Sequence, residues 1–179
     1  MKNKLFYSCL IILFLSELLL AQNKLSVGLV TSRFDNIGSD NKLTEVKTPF
    51  GYGVILGYSL NKEITIALTE EYFKDDLEKK LGEETDYRSH ISVYLSPFKT
   101  NLIKPYFSAG LVYTYRKINY SDSGIEESKN IFNGRFGVGL DYNLLQNIYL
   151  NVDAGLYNDG LTTVGWSSSI GIRVNPNIF

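Results

Sequence analysis

Apolar and polar residues alternate one by one in eight separate segments, and this pattern limits the fold more than any other feature of the chain. A repeat of two sends successive side chains to opposite faces of an extended strand, whereas a helix repeats near 3.6. The segments cover residues 24–32, 50–60, 64–72, 87–96, 105–116, 132–142, 148–157 and 163–174. In the second, Phe50, Tyr52, Val54, Leu56 and Tyr58 oppose Gly51, Gly53, Ile55, Gly57 and Ser59. In the seventh, Ile148, Leu150, Val152, Ala154 and Leu156 oppose Tyr149, Asn151, Asp153, Gly155 and Tyr157. Ser89, Gly134 and Ser168 interrupt the apolar rows. The connections at 61–63, 97–104 and 143–147 are short, and longer polar stretches at 34–48, 73–86 and 117–131 lie between them. The spacing predicts an all-β fold, an antiparallel up-and-down barrel of eight strands.

A soluble barrel turns its apolar face inward and a membrane barrel turns it outward. Three features favour the second. The polar face is rich in glycine, including Gly53, Gly57, Gly137, Gly139 and Gly155, as the crowded interior of a narrow barrel requires. Lysine and glutamate concentrate between the segments, as in the run from Lys74 to Lys80, where a soluble protein would spread them over its outer face. Phe50, Tyr58, Tyr72, Tyr87, Phe107, Tyr115, Phe132 and Tyr142 fall near segment ends on the apolar side, where interfacial girdles lie. The fold expected is thus a transmembrane barrel, and a soluble ligand-binding barrel of the periplasm is the alternative.

The first residues read as a cleavable export signal over 1–21, leaving 22–179 as the barrel domain. Lys2 and Lys4 precede an apolar run from Leu5 to Leu15, and Ala21 stands at the expected cleavage point. That run is shorter than the roughly 20 residues of a spanning helix. The lone Cys9 lies within it, so the mature chain carries no thiol chemistry. A formal net charge of −1 gives no basic balance toward nucleic acid.

The segments Lys104-Pro-Tyr-Phe-Ser-Ala-Gly-Leu-Val-Tyr and Phe136-Gly-Val-Gly-Leu-Asp-Tyr, with Asn147-Ile-Tyr-Leu-Asn-Val after a turn, resemble the small outer-membrane β-barrel family. That family includes OmpA-, OmpX- and OmpW-like proteins and is often labelled "porin family". The resemblance implies a Gram-negative cell envelope, contact with outer-membrane lipid and lipopolysaccharide, and insertion by the barrel-assembly machinery. Phe179 resembles the terminal aromatic that such barrels present to that machinery, although Pro176, just before it, cannot donate within a ladder.

The inward face carries Glu71, Arg88, His90, Arg116, Arg135, Asp141, Asp153 and Arg173, which are expected to form a network of ion pairs filling the lumen. The competing reading is a small pore lined with arginine. His90-Ile91-Ser92 has the spacing of the His-x-Ser pair in lipid A deacylases, so a lipid A-modifying enzyme is a further alternative. No acidic partner for that pair stands out, and the chain reads as non-enzymatic. With one histidine and no mature cysteine, no metal or other cofactor is expected. The function expected is structural or interactive, with an extracellular ligand met by the loops at 34–48, 73–86 and 117–131.

Overall fold

The computed structural model describes residues 24–36, 50–76, 82–98, 102–121, 123–160 and 162–175. The expected export signal, residues 37–49 of the first long connection and Phe179 lie outside the described residues. Eight strands follow one another: β1 (Leu25–Asn36), β2 (Phe50–Ser59), β3 (Ile64–Asp76), β4 (Gly82–Leu95), β5 (Ile103–Tyr120), β6 (Glu126–Leu145), β7 (Ile148–Asp159) and β8 (Thr162–Val174). Each pairs antiparallel with the next, and β1 pairs with β8 from Val27↔Val174 to Asn36↔Gly165, closing the barrel. Asn147 adopts φ 73° and Gly160 φ 62°, the left-handed conformations by which tight hairpins between β6, β7 and β8 reverse the chain.

The apolar rows face outward. Phe50 is 70% exposed, Leu111 73% and Phe132 72%, while Arg88 on the inner face is 2% exposed. So large an apolar surface suits hydrocarbon and not water, which removes the soluble alternative. On the outer surface Tyr52, Tyr72, Tyr87 and Tyr115 lie opposite one another across β2 to β5. Their ring centroids are 5.4, 5.2 and 6.4 Å apart, forming a continuous aromatic row of the kind that marks a membrane interface. The row lies toward the end away from the short turns, which is the extracellular end when short turns face the periplasm.

The structure corrects the extent of the long connections. Residues 73–76 and 82–86, expected as loop, continue β3 and β4, and most of 117–131 belongs to β5 and β6. Residues 34–36 likewise complete β1. Beyond the tyrosine row the outer face meets water and the inner face still packs, so the polarity of the alternation reverses. Phe73 is buried inside while Lys74 points out. A pattern read as apolar-out therefore stops at Tyr72 although the ladder does not. Strands β3 to β6 rise past the rest as a wall.

Candidate functional site

The lumen holds the polar groups in three tiers. Nearest the extracellular end, the Asp86 carboxylate accepts from Arg88 Nη2 at 2.8 Å and from Arg116 Nε and Nη2, each at 2.9 Å. Arg116 also pairs with Glu84 at 2.9 Å. The Arg88 guanidinium lies 3.9 Å from the Phe34 ring centre and 4.3 Å from that of Phe73. A planar cation between two ring faces is held by the ring quadrupoles as well as by its carboxylate.

In the middle tier Ser32 donates to Glu71 Oε1 at 2.5 Å, and His90 Nε2 stands 2.9 Å from Glu71 Oε2. This last contact has an ion-pair distance without the alignment of a hydrogen bond. Tyr157 packs edge-on against Phe34 at 4.9 Å and His90 at 6.0 Å. In the lower tier Arg135 donates to Asp153 and to Ser108, the latter at 3.1 Å. Tyr106 donates to Asp153 at 3.2 Å, and Asn151 Nδ2 reaches both Tyr106 Oη and Asp141 Oδ1 at 2.8 Å. Arg173 donates to the other oxygen of Asp141.

All eight residues expected on the inward face are there, and they meet as separate clusters: Arg88 with Arg116 through Asp86, Glu71 with His90, Arg135 with Asp153, and Arg173 with Asp141. Asp86, Glu84 and Phe34 were missed because they fell in stretches read as loop. Tyr106 and Asn151 were on the correct face, but nothing in a strand pattern says which inward residues touch. His90 meets Glu71 and not Ser92, and both are buried inside the barrel, away from lipid. No group of three or more metal-ligating side chains occurs among the described residues.

Packing leaves little space. Around Glu71, His90, Arg135 and Tyr157 remains a cavity of about 30 Å³, and another of about 10 Å³ lies beside Arg173. The first is about the volume of one water molecule. A larger recess of about 500 Å³ opens at the short-turn end and stops at Asp141 and Arg173.

The outer membrane protein beta-barrel domain family matches residues 9–176. The chain belongs to that family. It is an outer-membrane protein, as the outward apolar face and closed ladder require. Solved barrels of this kind share its fold at low identity. Neisserial surface protein A aligns with 84% of this chain and 96% of its own, at 18% identity and TM-score 0.63. OprG from Pseudomonas aeruginosa aligns with 85% and 95%, at 14% identity and TM-score 0.65. Ail, the attachment invasion locus protein of Yersinia pestis, solved with the heparin analogue sucrose octasulfate, aligns with 84% and 96%, at 18% identity and TM-score 0.56. No curated protein matches the chain.

Above the tyrosine row, the wall carries ion pairs in water. Lys74 pairs with Glu83 and Lys117 with Glu126, each at 2.9 Å. The hydrogen bond to Glu126 holds the Lys117 ammonium above the ordinary lysine pKa. One side of this wall is open. β6 pairs with β5 from Asn119↔Glu126 down through the whole ladder, but its pairing with β7 begins only at Gly134↔Asn158. Among the described residues, 126–133 therefore form a strand edge without a second neighbour.

Proposed function

We propose that the protein is a non-catalytic cell-surface recognition barrel, and that the edge of β6 over residues 126–133 receives an extended segment of an extracellular partner. The open edge carries this reading. Unpaired backbone N–H and C=O groups in a row are a template for strand addition, and proteins that do not use such an edge usually cover or shorten it. The filled lumen supports the same reading over that of a pore, since the middle tier leaves room for about one water.

Charge narrows the partner. With Glu84 and Asp86 paired to Arg116 and Arg88 inside the barrel, the remaining wall charges are Asp75, Glu83, Glu126 and Glu127 against Lys74, Lys117 and Lys129, a slightly acidic balance. A basic strand suits this surface better than a sulfated glycan like the analogue bound to Ail.

The test is amide hydrogen exchange on the barrel in lipid discs, with and without a synthetic strand-forming peptide of alternating lysine and valine. Protection confined to residues 126–133, abolished when Ser128 and Asn130 are both replaced by proline, is the expected result. Unprotected edge amides, together with steady ion conductance in planar bilayers, would turn the assignment toward a pore.

A further inference from the structure

One carboxylate in the barrel faces outward where its neighbours are apolar. Along β3 the outward positions run Ile64, Ile66, Leu68, Glu70 and Tyr72, and the Glu70 side chain is exposed. Its cross-strand neighbours are Val54 on β2 and Ser89 on β4. The rung below holds Leu56, Leu68, Ile91 and Leu111, and the rung above is the tyrosine row. Two residues along a strand span ~7 Å, less in height once the strand tilts, so Glu70 stands just beneath the interfacial ring.

This is the junction where acyl chains join their headgroups. An acidic side chain on the lipid face there is unfavourable unless donors meet it. The Ser89 hydroxyl donates to Oε2 at 2.7 Å, while Oε1 meets no donor among the described residues. Farther along the same rung, Tyr113 on β5 donates to Asn130 of the rung above at 2.8 Å.

We propose that Glu70 and Ser89 form a lateral binding site for an acylated glycolipid of the outer leaflet. The ligand's chemistry follows from what the site lacks: a hydroxyl or amide N–H at the base of the headgroup, able to donate to the free carboxylate oxygen. Amide-linked and hydroxylated acyl chains on a sugar carry such donors. The glycerol esters of a phospholipid offer only acceptors at that depth. The rings of Tyr72 and Tyr87 flank the site and suit the flat face of a sugar. The proposal stands apart from the recognition reading, because it uses the lipid-facing surface and not the wall.

The experiment compares wild type, Glu70→Gln and Glu70→Leu by native mass spectrometry, after reconstitution with lipopolysaccharide or with phosphatidylglycerol. The mobility shift on boiling confirms that each variant is folded, and Glu70→Ala reads the same loss if the leucine variant does not shift. Retained lipopolysaccharide is expected to fall about tenfold in Glu70→Leu, a change of one hydrogen-bonded contact. In Glu70→Gln it stays near wild type, because the amide oxygen still accepts. Phosphatidylglycerol retention is expected to be equal in all three. Equal lipopolysaccharide retention in Glu70→Leu overturns the site, as does a parallel loss of phosphatidylglycerol. Efficient Ser89→Cys cross-linking of barrels into dimers in lipopolysaccharide-containing discs would assign the face to a second copy of the chain.

Discussion

The lumen and the wall use the same chemistry under opposite conditions. Both are laced with pairs between Lys or Arg and Asp or Glu. Arg135–Asp153 is buried inside the barrel and Arg173–Asp141 closes the floor of the recess at the short-turn end, whereas the Lys74–Glu83 side chains are about half exposed. Burial makes a pair hard to break, because losing one partner strands a charge. In water the same pair adds little, since solvent and salt screen it and long side chains must be ordered. The difference teaches where the molecule is committed and where it is free to engage others. The lumen holds the barrel in one state, and the wall presents side chains whose removal the fold tolerates.

Arg135→Met is the strongest way to break this comparison. It leaves Asp153 buried with Tyr106 as its remaining partner, and a cost of about 3–5 kcal/mol is expected. The check is the urea midpoint of the boiling-sensitive gel form in bilayers. The double variant Arg135→Met/Asp153→Leu should recover most of the loss, because a charge is no longer left alone. A single variant as stable as wild type would mean that the lumen is wetter than its packing indicates.

A pair of glycine substitutions sharpens the same point by contrasting the two faces. A Cβ at Gly155 would lie 2.6 Å from the Arg135 guanidinium, so Gly155→Val overpacks the lower tier and should cost about 1–3 kcal/mol. Gly134 faces outward, and its nearest neighbour would be the Asn158 carbonyl oxygen at 3.9 Å. Gly134→Val should leave the same midpoint unchanged or raise it.

The smallest effect belongs to the wall. Lys117→Gln removes the exposed pair with Glu126, and no resolvable change in midpoint is expected near neutral pH. Its pH dependence has a definite sign. The folded-state pKa is raised, so any contribution is complete below the ordinary lysine value and disappears as pH rises through the raised one. A loss near pH 7 would show that some other group controls the hairpin.

Much of the barrel was readable from residue order, and the limits have physical causes. Period two is imposed wherever a strand has two unlike environments, so Glu71, Arg88, His90 and Arg135 could be placed inside from parity alone. The same rule failed for Phe34, Phe73 and Asp86, because above the membrane the environments exchange: water lies outside and packed aromatic rings lie within. Pairing was beyond reach for a different reason. Arg88 and Arg116 converge on Asp86 through the register of β4 against β5, and no local signal encodes which rung faces which. Glu70 was hidden between its neighbours, since Glu71 fitted the inward set while Leu68 and Tyr72 on either side fitted the outward row.

The seam between β1 and β8 differs from every other ladder of the barrel in what it costs to form. Every other ladder joins strands consecutive in sequence, so it closes over a shorter stretch of chain. The seam alone joins the two ends of the described chain, from Val27 to Val174, and its cost in chain entropy comes due all at once. Until those rungs form, β1 and β8 both present bare edges in a medium with no water to satisfy them. Closing that seam is therefore the step that most needs a surface to shelter an unfinished sheet.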